Sequence, residues 1–209
     1  MKKIITVQHT QSIHHTNGMV GSWTDWDLSP LGIEQATRIG KNLKEEIKEE
    51  KYVMYSSDLL RAKHTAEIIA NQLNTRPIIT EELRERNLGK AVGKSVVWLR
   101  KNMECPEKTI EDKMFSDGES RKEVWERLLP FYRKIMESED ENLLIVSHGD
   151  TLSIFHAIWL GLRMDQLNNC NLHGAAGGVS KMHKDTQSRH VLTRLSDMSY
   201  VRGLISGNL

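Results

Sequence analysis

Two histidines in this chain each follow directly on a short apolar run. His9 comes after residues 4–8 (IITVQ), and His148 comes after residues 143–147 (LLIVS). A neutral imidazole near pH 7 can act as an acid, a base, a metal ligand or a nucleophile. Taken alone, His9 more simply caps a loop, so its role depends on the groups that the fold brings beside it.

An arginine occupies a similar position after the next strand. Residues 52–55 (YVMY) form a predicted strand, and Arg61 falls in the first turn of the helix that follows. A guanidinium there can bind a phosphate through two hydrogen bonds, beside helix amides that also favour anions. The simpler alternative is a surface arginine paired with Asp58 or Glu67.

Carboxylates follow a third strand. Residues 77–80 (PIIT) lead into a turn, residues 81–85 (EELRE), that is rich in glutamates. A carboxyl group held beside a phosphate site can keep a raised pKa and act as a general acid. A solvated turn is the competing interpretation, because most of these residues are charged.

The segments that must position these groups alternate between strand and helix patterns. Apolar spacing predicts helices over residues 29–50, 59–70, 119–136 and 151–162, with helical pieces around 96–102. Residues 177–183 and 190–195 are predicted to be two edge strands joined by a hairpin. The pattern predicts an α/β fold, a three-layer α/β/α sandwich with a mostly parallel central sheet. In such sheets ligands bind where the parallel strands end, which is where the two histidines lie.

Two irregular stretches are candidates for walls of a site. Residues 14–27 contain two tryptophans and little periodicity, which favours a structured loop beside a ligand over disorder. Residues 93–116 are mostly polar and are predicted to form a lid-like excursion over the sheet. Substrate specificity is expected to reside in these two stretches.

Composition narrows the classes of protein. The chain has 209 residues, 27% of them charged and 38% hydrophobic, with a net charge of +1. We expect a single domain over residues 1–209, no nucleic-acid partner and no membrane span. Without an apolar leader, the protein is expected in the cytoplasm. Cys105 and Cys170 are too few and too far apart for a disulfide framework or a zinc site.

A metal site is the less favoured use of the first histidines. His14 and His15 together with His9 could suggest one, but no acidic or thiol partner stands at ligand spacing. We therefore predict neither a metal nor another cofactor. Two histidines, an arginine and a carboxylate at one sheet edge are instead what covalent phosphoryl transfer requires. The imidazole attacks phosphorus, cations hold the oxygens, and an acid protonates the leaving group.

Five motifs occur in order along nearly the whole chain. They are VQHTQ at 7–11, SDLLRAKHTA at 57–66, LRE at 83–85, GES at 118–120 and VSHG at 146–149. Together they resemble the motifs of the histidine phosphatase superfamily, in its phosphoglycerate mutase-like branch. The resemblance implies that His9 is the phosphorylated nucleophile and that Arg61 and His148 grip the phosphoryl group. It implies that Glu85 is the proton donor, with Glu81 and Glu82 as close competitors.

The resemblance also implies which residues contact the substrate. The predicted set comprises Gln8, Gln11, His15, Gly21, Ser22, Arg86 and Gly149. Gln8 replaces the family's first pocket arginine, and Thr10 replaces its glycine. The loss of that charge predicts a rate lower by roughly one to two orders of magnitude. Arg86, His14 or His15 could supply the missing cation.

Three functions remain open on the sequence. The favoured one is a phosphomonoester hydrolase that acts on a small phosphorylated metabolite. Residues 21–29 and 85–89 resemble mutase loops, which keeps phosphoglycerate mutase-like transfer as an alternative. Against it, Arg100 and Lys101 match poorly the paired arginines that hold a mutase's second phosphate. The third alternative is a weakly active or inactive protein that binds phosphorylated ligands, because of Gln8. A homodimer through an edge strand is a further expectation.

Overall fold

The protein forms a six-stranded sheet between two layers of helices. The computed structural model describes residues 2–48 and 50–204. The strands are β1 (Lys3–Gln8), β2 (Val53–Ser57), β3 (Pro77–Thr80), β4 (Asn142–Ser147), β5 (Val179–Lys184) and β6 (His190–Asp197). The α-helices are α1 (His14–Asn17), α2 (Pro30–Ile47), α3 (Leu60–Leu73), α4 (Val96–Asn102), α5 (Arg121–Glu137) and α6 (Gly149–Trp159). Short 3₁₀ helices span Glu81–Leu83, Gly89–Ala91, Met164–Asn168 and Met198–Val201.

The strand order places four parallel strands side by side. The order is β3-β2-β4-β1-β5-β6, with β1, β2, β3 and β4 all parallel. Strand β5 runs antiparallel to β1, and β6 runs antiparallel to β5. The predicted α/β sandwich with a mostly parallel sheet is therefore confirmed.

Each face of the sheet has its own apolar core. On one face, Ile4 and Ile145 pack with the buried side chains of α5 and α6. On the other face, Ile5 and Val146 pack with those of α2 and α3. Successive residues of a strand point to opposite faces, so these apolar runs bury both sides of β1 and β4.

Serine caps fix where two of the long helices begin. The Ser29 hydroxyl accepts a hydrogen bond from Gly32 N at 3.0 Å, and Pro30 occupies the first helical position of α2. Ser120 and Glu123 form a capping box at the start of α5. Both signals are visible in the sequence, and the observed helix starts lie within two residues of the predicted ones.

The structure corrects two details of the predicted elements. Strand β5, expected at an edge, lies inside the sheet between β1 and β6. An edge strand and an interior strand next to a hairpin show the same alternation of side chains, so the sequence could not separate them. Helix α2 ends at Ile47, so the predicted end at Glu50 is too long. The single-domain prediction also includes residues 1, 49 and 205–209, which lie outside the described residues.

The excursion at 93–116 is attached to the loop at 14–27. Val20 N donates to Lys94 O at 2.9 Å, and Val96 N donates to Gly18 O at 2.8 Å. Helix α4 is the only α-helix of this segment, all of which is described. These bonds place the excursion beside the edge of the sheet where the parallel strands end.

The two edge strands of the sheet are the surfaces through which the expected homodimer would form. Strands β3 and β6 are the sheet edges, and Ile78 and Ile79 of β3 are exposed. Dimerisation through an edge stays a prediction.

Within residues 2–48 and 50–204, none of the helices combines the length and apolarity that crossing a membrane requires.

Candidate active site

Four predicted site residues follow the ends of the four adjacent parallel strands. His9 comes directly after β1 and His148 directly after β4, and the backbone N of His9 donates to Ser147 O at 2.9 Å. Arg61 follows β2 in the first turn of α3, and Glu85 follows β3. The strand order therefore places these side chains along a single edge of the sheet.

The His9 ring is held in one tautomer. Its Nδ1 lies 2.8 Å from the carbonyl oxygen of Thr10. Because a carbonyl can only accept, Nδ1 carries the hydrogen and Nε2 keeps the lone pair. Burial, and then the charge of Arg61, lower the pKa of His9 well below its ordinary 6.5. His9 is thus a neutral imidazole with Nε2 available as a nucleophile.

Arg61 is a buried cation directly beside this lone pair. Its Nε donates to His9 Nε2 at 3.2 Å, and its two Nη atoms donate to the carbonyls of Ser22 and Thr24, both at 2.8 Å. Burial lowers the pKa of Arg61 to about 10, which leaves it charged at neutral pH. The surface pairing considered from the sequence is not formed, because Asp58 accepts from Arg84 at 2.8 Å.

His148 presents a ring nitrogen without a partner. Its Nε2 lies 2.9 Å from Ser57 Oγ, and its buried Nδ1 makes no hydrogen bond within the described residues. The His148 and His9 ring centroids are 5.1 Å apart. A buried polar atom without a partner costs roughly 1–3 kcal/mol, which an incoming ligand atom can recover. Burial and then Arg61 hold the pKa of His148 well below 6.5.

Glu85 lies at the amino end of α6. Its Oε1 accepts from Arg86 N at 2.9 Å and from Thr151 N at 3.3 Å. Burial and then the nearby Asp150 raise the pKa of Glu85 above its ordinary 4.5, against the opposing effects of Arg86 and Arg61. A carboxyl with a raised pKa holds its proton closer to neutral pH, as a general acid must.

The competing glutamates are directed elsewhere. Glu81 is exposed and pairs with Arg84, and the Glu82 carboxylate accepts from the Thr80 hydroxyl. Both belong to the 3₁₀ helix Glu81–Leu83, and both of their side chains are exposed to solvent. Of the three glutamates in the turn, Glu85 is the one that lines the cavity described below.

His14 and His15 pack beside His9 but offer opposite hydrogen-bonding groups. His15 Nδ1 accepts from Ser12 N at 3.0 Å, so its hydrogen is on Nε2. His14 Nδ1 lies 3.0 Å from Ser12 Oγ, whose own hydrogen goes to Asp27 O at 2.8 Å. His14 therefore carries its hydrogen on Nδ1 and keeps the lone pair on Nε2.

Neither of these two histidines supplies the cation that Gln8 lacks in the free protein. Burial and then His15 lower the pKa of His14 to about 3. Burial and then Arg61 lower the pKa of His15 to about 4. Both rings are neutral at pH 7 for as long as the site holds no anion.

The three imidazoles are close enough to be tested as a metal site. His9, His14 and His15 place one ring nitrogen each within 4.8 Å of one another. The lone pair of His15 is already used on Ser12 N, and the charged Arg61 lies against His9. The three rings therefore do not offer three free lone pairs to a metal ion, and the positive charge of Arg61 would repel one. This set of side chains fits an anion better than a metal ion.

Gln8 lies between two glycines at the rim. A Cβ on Gly149 would lie 3.4 Å from Gln8 Nε2, and a Cβ on Gly174 would lie 3.2 Å from Gln8 Oε1. The ring of His173 is also within 3.3 Å of that position on Gly149. Close packing around the Gln8 amide thus depends on the absence of side chains at both glycines.

The loop at 14–27 is fastened to the turn that carries Glu85. Ser22 Oγ donates to Arg86 O at 2.9 Å and accepts from Leu88 N at 2.9 Å. Ser22 has a φ of 41°, a conformation that non-glycine residues adopt rarely and that recurs at functional sites. At the preceding Gly21, a Cβ would lie 2.8 Å from His14 Nε2, so the ring of His14 packs directly on the glycine backbone.

Arg86 is buried, but it is not a free cation. Its guanidinium binds both carboxylate oxygens of Glu107, and its Nε lies 3.0 Å from Asp150 Oδ2. Burial acts to lower the pKa of Arg86, but Asp150 and then Glu107 outweigh it and raise the pKa. Arg86 therefore contributes little unbalanced charge to a ligand.

Most predicted site residues line a single cavity of about 280 Å³. The predicted residues in its wall are Gln8, His9, His15, Gly21, Ser22, Arg61, Glu85, Arg86 and Gly149. The predicted catalytic residue His148 is fully buried and is not in this wall, although its ring is adjacent to that of His9. A larger cavity of about 910 Å³, between Lys44 and Asn142, opens at the opposite edge of the sheet and contains none of these residues.

Gln11 is the predicted substrate contact that the cavity does not include, and its role stays a prediction. It is not in the cavity wall, and its side-chain oxygen accepts from the Ser29 hydroxyl at 2.7 Å. The wall also contains residues that were not predicted as contacts, namely His14, Leu88, Asp150 and His173. Asp150 could have been found, because it follows His148 and Gly149 at a strand end. His173 comes from an irregular segment that carries no comparable signal.

Comparisons of sequence and of structure with known proteins agree on one family. Residues 4–196 match the sequence profile of the histidine phosphatase superfamily (branch 1). The chain is 29% identical to "Putative phosphoserine phosphatase 2" of Hydrogenobacter thermophilus, covering 98% of this chain and 100% of that protein. It is 31% identical to a 2,3-bisphosphoglycerate-dependent phosphoglycerate mutase of Cytophaga hutchinsonii, over 73% and 74% of the two chains. The fold superimposes on Bacillus stearothermophilus YhfR with a TM-score of 0.83, at 24% identity over 97% and 100% of the chains.

Proposed function

Because the chain belongs to the histidine phosphatase superfamily (branch 1), we propose that it hydrolyses small phosphorylated metabolites through a phosphohistidine at His9. The observation that carries the proposal is the tautomer of His9. The Thr10 carbonyl holds the hydrogen on Nδ1, and the lone pair of Nε2 lies in the cavity beside Arg61. A buried neutral nucleophile next to a fixed cation is the pairing that attack on a phosphoryl group requires.

In the first step the phosphoryl group moves to the protein. His9 Nε2 donates its lone pair to phosphorus, and the bond from phosphorus to the ester oxygen breaks with its electrons on that oxygen. Glu85 gives its proton to the departing oxygen, so that the product leaves as a neutral alcohol. Arg61 holds the phosphoryl oxygens as negative charge spreads over them. His148 does so through Nδ1–H, in the tautomer in which its Nε2 accepts from the Ser57 hydroxyl.

In the second step water releases the phosphate. Glu85, now a carboxylate, takes a proton from a water molecule whose oxygen bonds to phosphorus. The phosphorus–nitrogen bond breaks, its electrons return to His9 Nε2, and inorganic phosphate leaves. Glu85 ends with its proton restored, so the cycle needs no metal and no other cofactor.

Charge in the cavity favours hydrolysis over mutase-like transfer. A mutase must hold a second phosphate while the first is moved. Arg100 and Lys101 are exposed and are not in the cavity wall, and Arg86 is already neutralised by Glu107 and Asp150. The relatives named above as phosphoserine phosphatase and phosphoglycerate mutase support a small phosphorylated metabolite as the substrate.

The proposal places the protein in the cytoplasm. Cys105 and Cys170 are both exposed free thiols, which fits a reducing environment such as the cytoplasm. The proposal excludes a nucleic-acid partner on the ground of the net charge of +1.

Phosphate release from a panel of phosphorylated metabolites tests this function. We expect inorganic phosphate to appear from at least one small phosphomonoester in the presence of a metal chelator. Isotope exchange between 2- and 3-phosphoglycerate, measured in parallel, separates the alternatives. Exchange that outpaces phosphate release would contradict hydrolysis in favour of a mutase. Ligand binding without release from any compound would contradict catalysis altogether.

A further inference from the structure

A second cavity adjoins the active site. It has a volume of about 240 Å³ and shares Arg86 and Asp150 with the cavity that contains His9. We call it the side cavity. Its other polar walls come from segments far apart in the sequence, and they include Lys108, Arg121, Asn168 and Asn171. A substrate that extends past Asp150 from the phosphoryl site would enter it.

Arg121 brings an unused donor to the side cavity. Its Nη1 donates to Leu167 O at 3.0 Å, which fixes the guanidinium against the wall. Its Nη2 is buried and has no hydrogen-bond partner among the described residues. A buried guanidinium nitrogen without an acceptor is unfavourable, so the geometry indicates a missing anionic or carbonyl oxygen.

The two asparagines also offer donors. Asn168 Oδ1 accepts from Ile110 N at 2.7 Å, and Asn171 Oδ1 accepts from Ser153 Oγ at 2.6 Å. Since both amide oxygens are occupied by protein donors, each side chain has its NH₂ group left for a ligand. The amides therefore add to the donor character of the side cavity without adding charge.

The charges of the side cavity are not balanced. Glu107 and Asp150 are both committed to Arg86. Lys108 and Arg121 make no ion pair with a carboxylate in the described part of the chain. The three cations and two carboxylates of the lining leave a net positive charge, which together with the two amide NH₂ groups favours an anion over a cation.

We propose that the side cavity binds a carboxylate of the substrate while its phosphoryl group lies against His9. The inference rests on the proposed hydrolysis and narrows its substrates to phosphomonoesters that also carry a carboxylate. Arg121 is the specificity-determining residue, with Lys108 and Asn171 in support. Arg86 lines both cavities and already pairs with Glu107 and Asp150, so the carboxylate is assigned to Arg121 and not to Arg86.

O-phosphoserine and phosphoethanolamine test this directly, because they differ by one carboxylate. Arg121→Met is expected to raise KM for O-phosphoserine about ten- to a hundred-fold, the effect of losing one charge-assisted hydrogen bond. KM for phosphoethanolamine, and kcat for both compounds, stay unchanged. Arg133→Met removes an exposed arginine from the same helix and serves as the control. Equal effects on the two substrates, or no effect on either, would overturn the proposal.

A second variant keeps the test valid if Arg121→Met does not fold. Asn171→Asp is isosteric and keeps the acceptor for Ser153, but replaces the NH₂ group by a negative oxygen. It is expected to raise KM for O-phosphoserine at least about ten-fold and to spare phosphoethanolamine. An unchanged ratio of the two KM values would contradict a carboxylate site.

The test also separates this proposal from the proposed hydrolysis. If the wild type releases phosphate from p-nitrophenyl phosphate but the variants do not discriminate, the side-cavity proposal alone fails. If the wild type hydrolyses nothing, hydrolysis fails, and calorimetry decides the carboxylate site. In that case O-phosphoserine is expected to bind the wild type more tightly than phosphoethanolamine, and equal affinities would overturn the proposal.

Discussion

Arg61 Nε donates to His9 Nε2 at 3.2 Å, so the cation of the site is in contact with the lone pair of the nucleophile before any substrate arrives. Burial, and then the positive charge of Arg61, lower the pKa of His9 and keep the ring unprotonated. The contact also means that an oxygen of the substrate must displace His9 from this N–H as phosphorus approaches.

Replacement of Arg61 therefore removes two effects together. Arg61→Met is expected to lower kcat/KM by roughly 10²- to 10³-fold, as the loss of one preorganised donor does elsewhere. It should also raise the pKa of His9 and move the acidic limb of the pH profile to higher pH. Arg76→Met, which removes an exposed arginine, is the control. An acidic limb that does not move would contradict the electrostatic role of Arg61.

The pH profile should reflect the opposite shifts of nucleophile and acid. The pKa of His9 is lowered below 6.5, so the neutral, active ring persists well below that pH. The pKa of Glu85 is raised above 4.5, so its active, protonated form is lost only as pH rises through this higher value. Glu85→Gln is expected to remove the alkaline limb and to slow hydrolysis of an alkyl phosphate by roughly 10²- to 10³-fold.

Two comparisons sharpen the test of Glu85. Hydrolysis of p-nitrophenyl phosphate should slow less than that of the alkyl phosphate, because its leaving group needs little protonation. Glu82→Gln, at an exposed position, should change neither rate. If the two glutamine variants behave alike, the proton donor is not Glu85.

Asp150 should set where the alkaline limb falls. After burial, its charge is the largest influence that raises the pKa of Glu85. Asp150→Asn removes that charge and leaves Arg86 with Glu107 as its carboxylate partner, and both changes lower the pKa of Glu85. We expect the alkaline limb of kcat/KM to move to lower pH in this variant, measured with the same alkyl phosphate. A shift to higher pH would contradict the role of Asp150 as a charge that raises the pKa of Glu85.

We expect Gln8 to limit the rate, because it lacks the positive charge of the arginine that it replaces. His14 and His15 are neutral in the free protein and Arg86 is paired, so none of the expected substitutes compensates. Gln8→Arg is expected to raise kcat/KM about ten- to a hundred-fold. Gln8→Met, which removes the amide donors as well, should lower it. An arginine variant no faster than the wild type would refute this account of the weakened site.

The parts of the site that could be predicted from the sequence are those attached to regular elements. His9, Arg61 and His148 each follow a short apolar strand, and parallel strands end at the same edge of a sheet. Glu85 needed the family resemblance as well, since only the 3₁₀ turn before it decides which glutamate reaches the cavity.

The contacts that could not be predicted depend on irregular backbone. Gln11 is two residues from His9, but its side chain binds Ser29 and supports the start of α2. Glu107 reaches Arg86 from a segment without periodicity. His173 reaches the cavity in the same way. Such contacts depend on how loops pack, and single-sequence patterns carry little information about that packing.

Direct detection of the covalent intermediate tests the central claim. The protein is mixed with p-nitrophenyl phosphate, quenched rapidly without acid, and analysed by intact mass, with His9→Ala alongside. The account predicts a phosphate-sized adduct that forms and decays in the wild type and is absent from the variant. Phosphate release by the wild type without such an adduct, or an adduct that persists in His9→Ala, would contradict a phosphohistidine at His9.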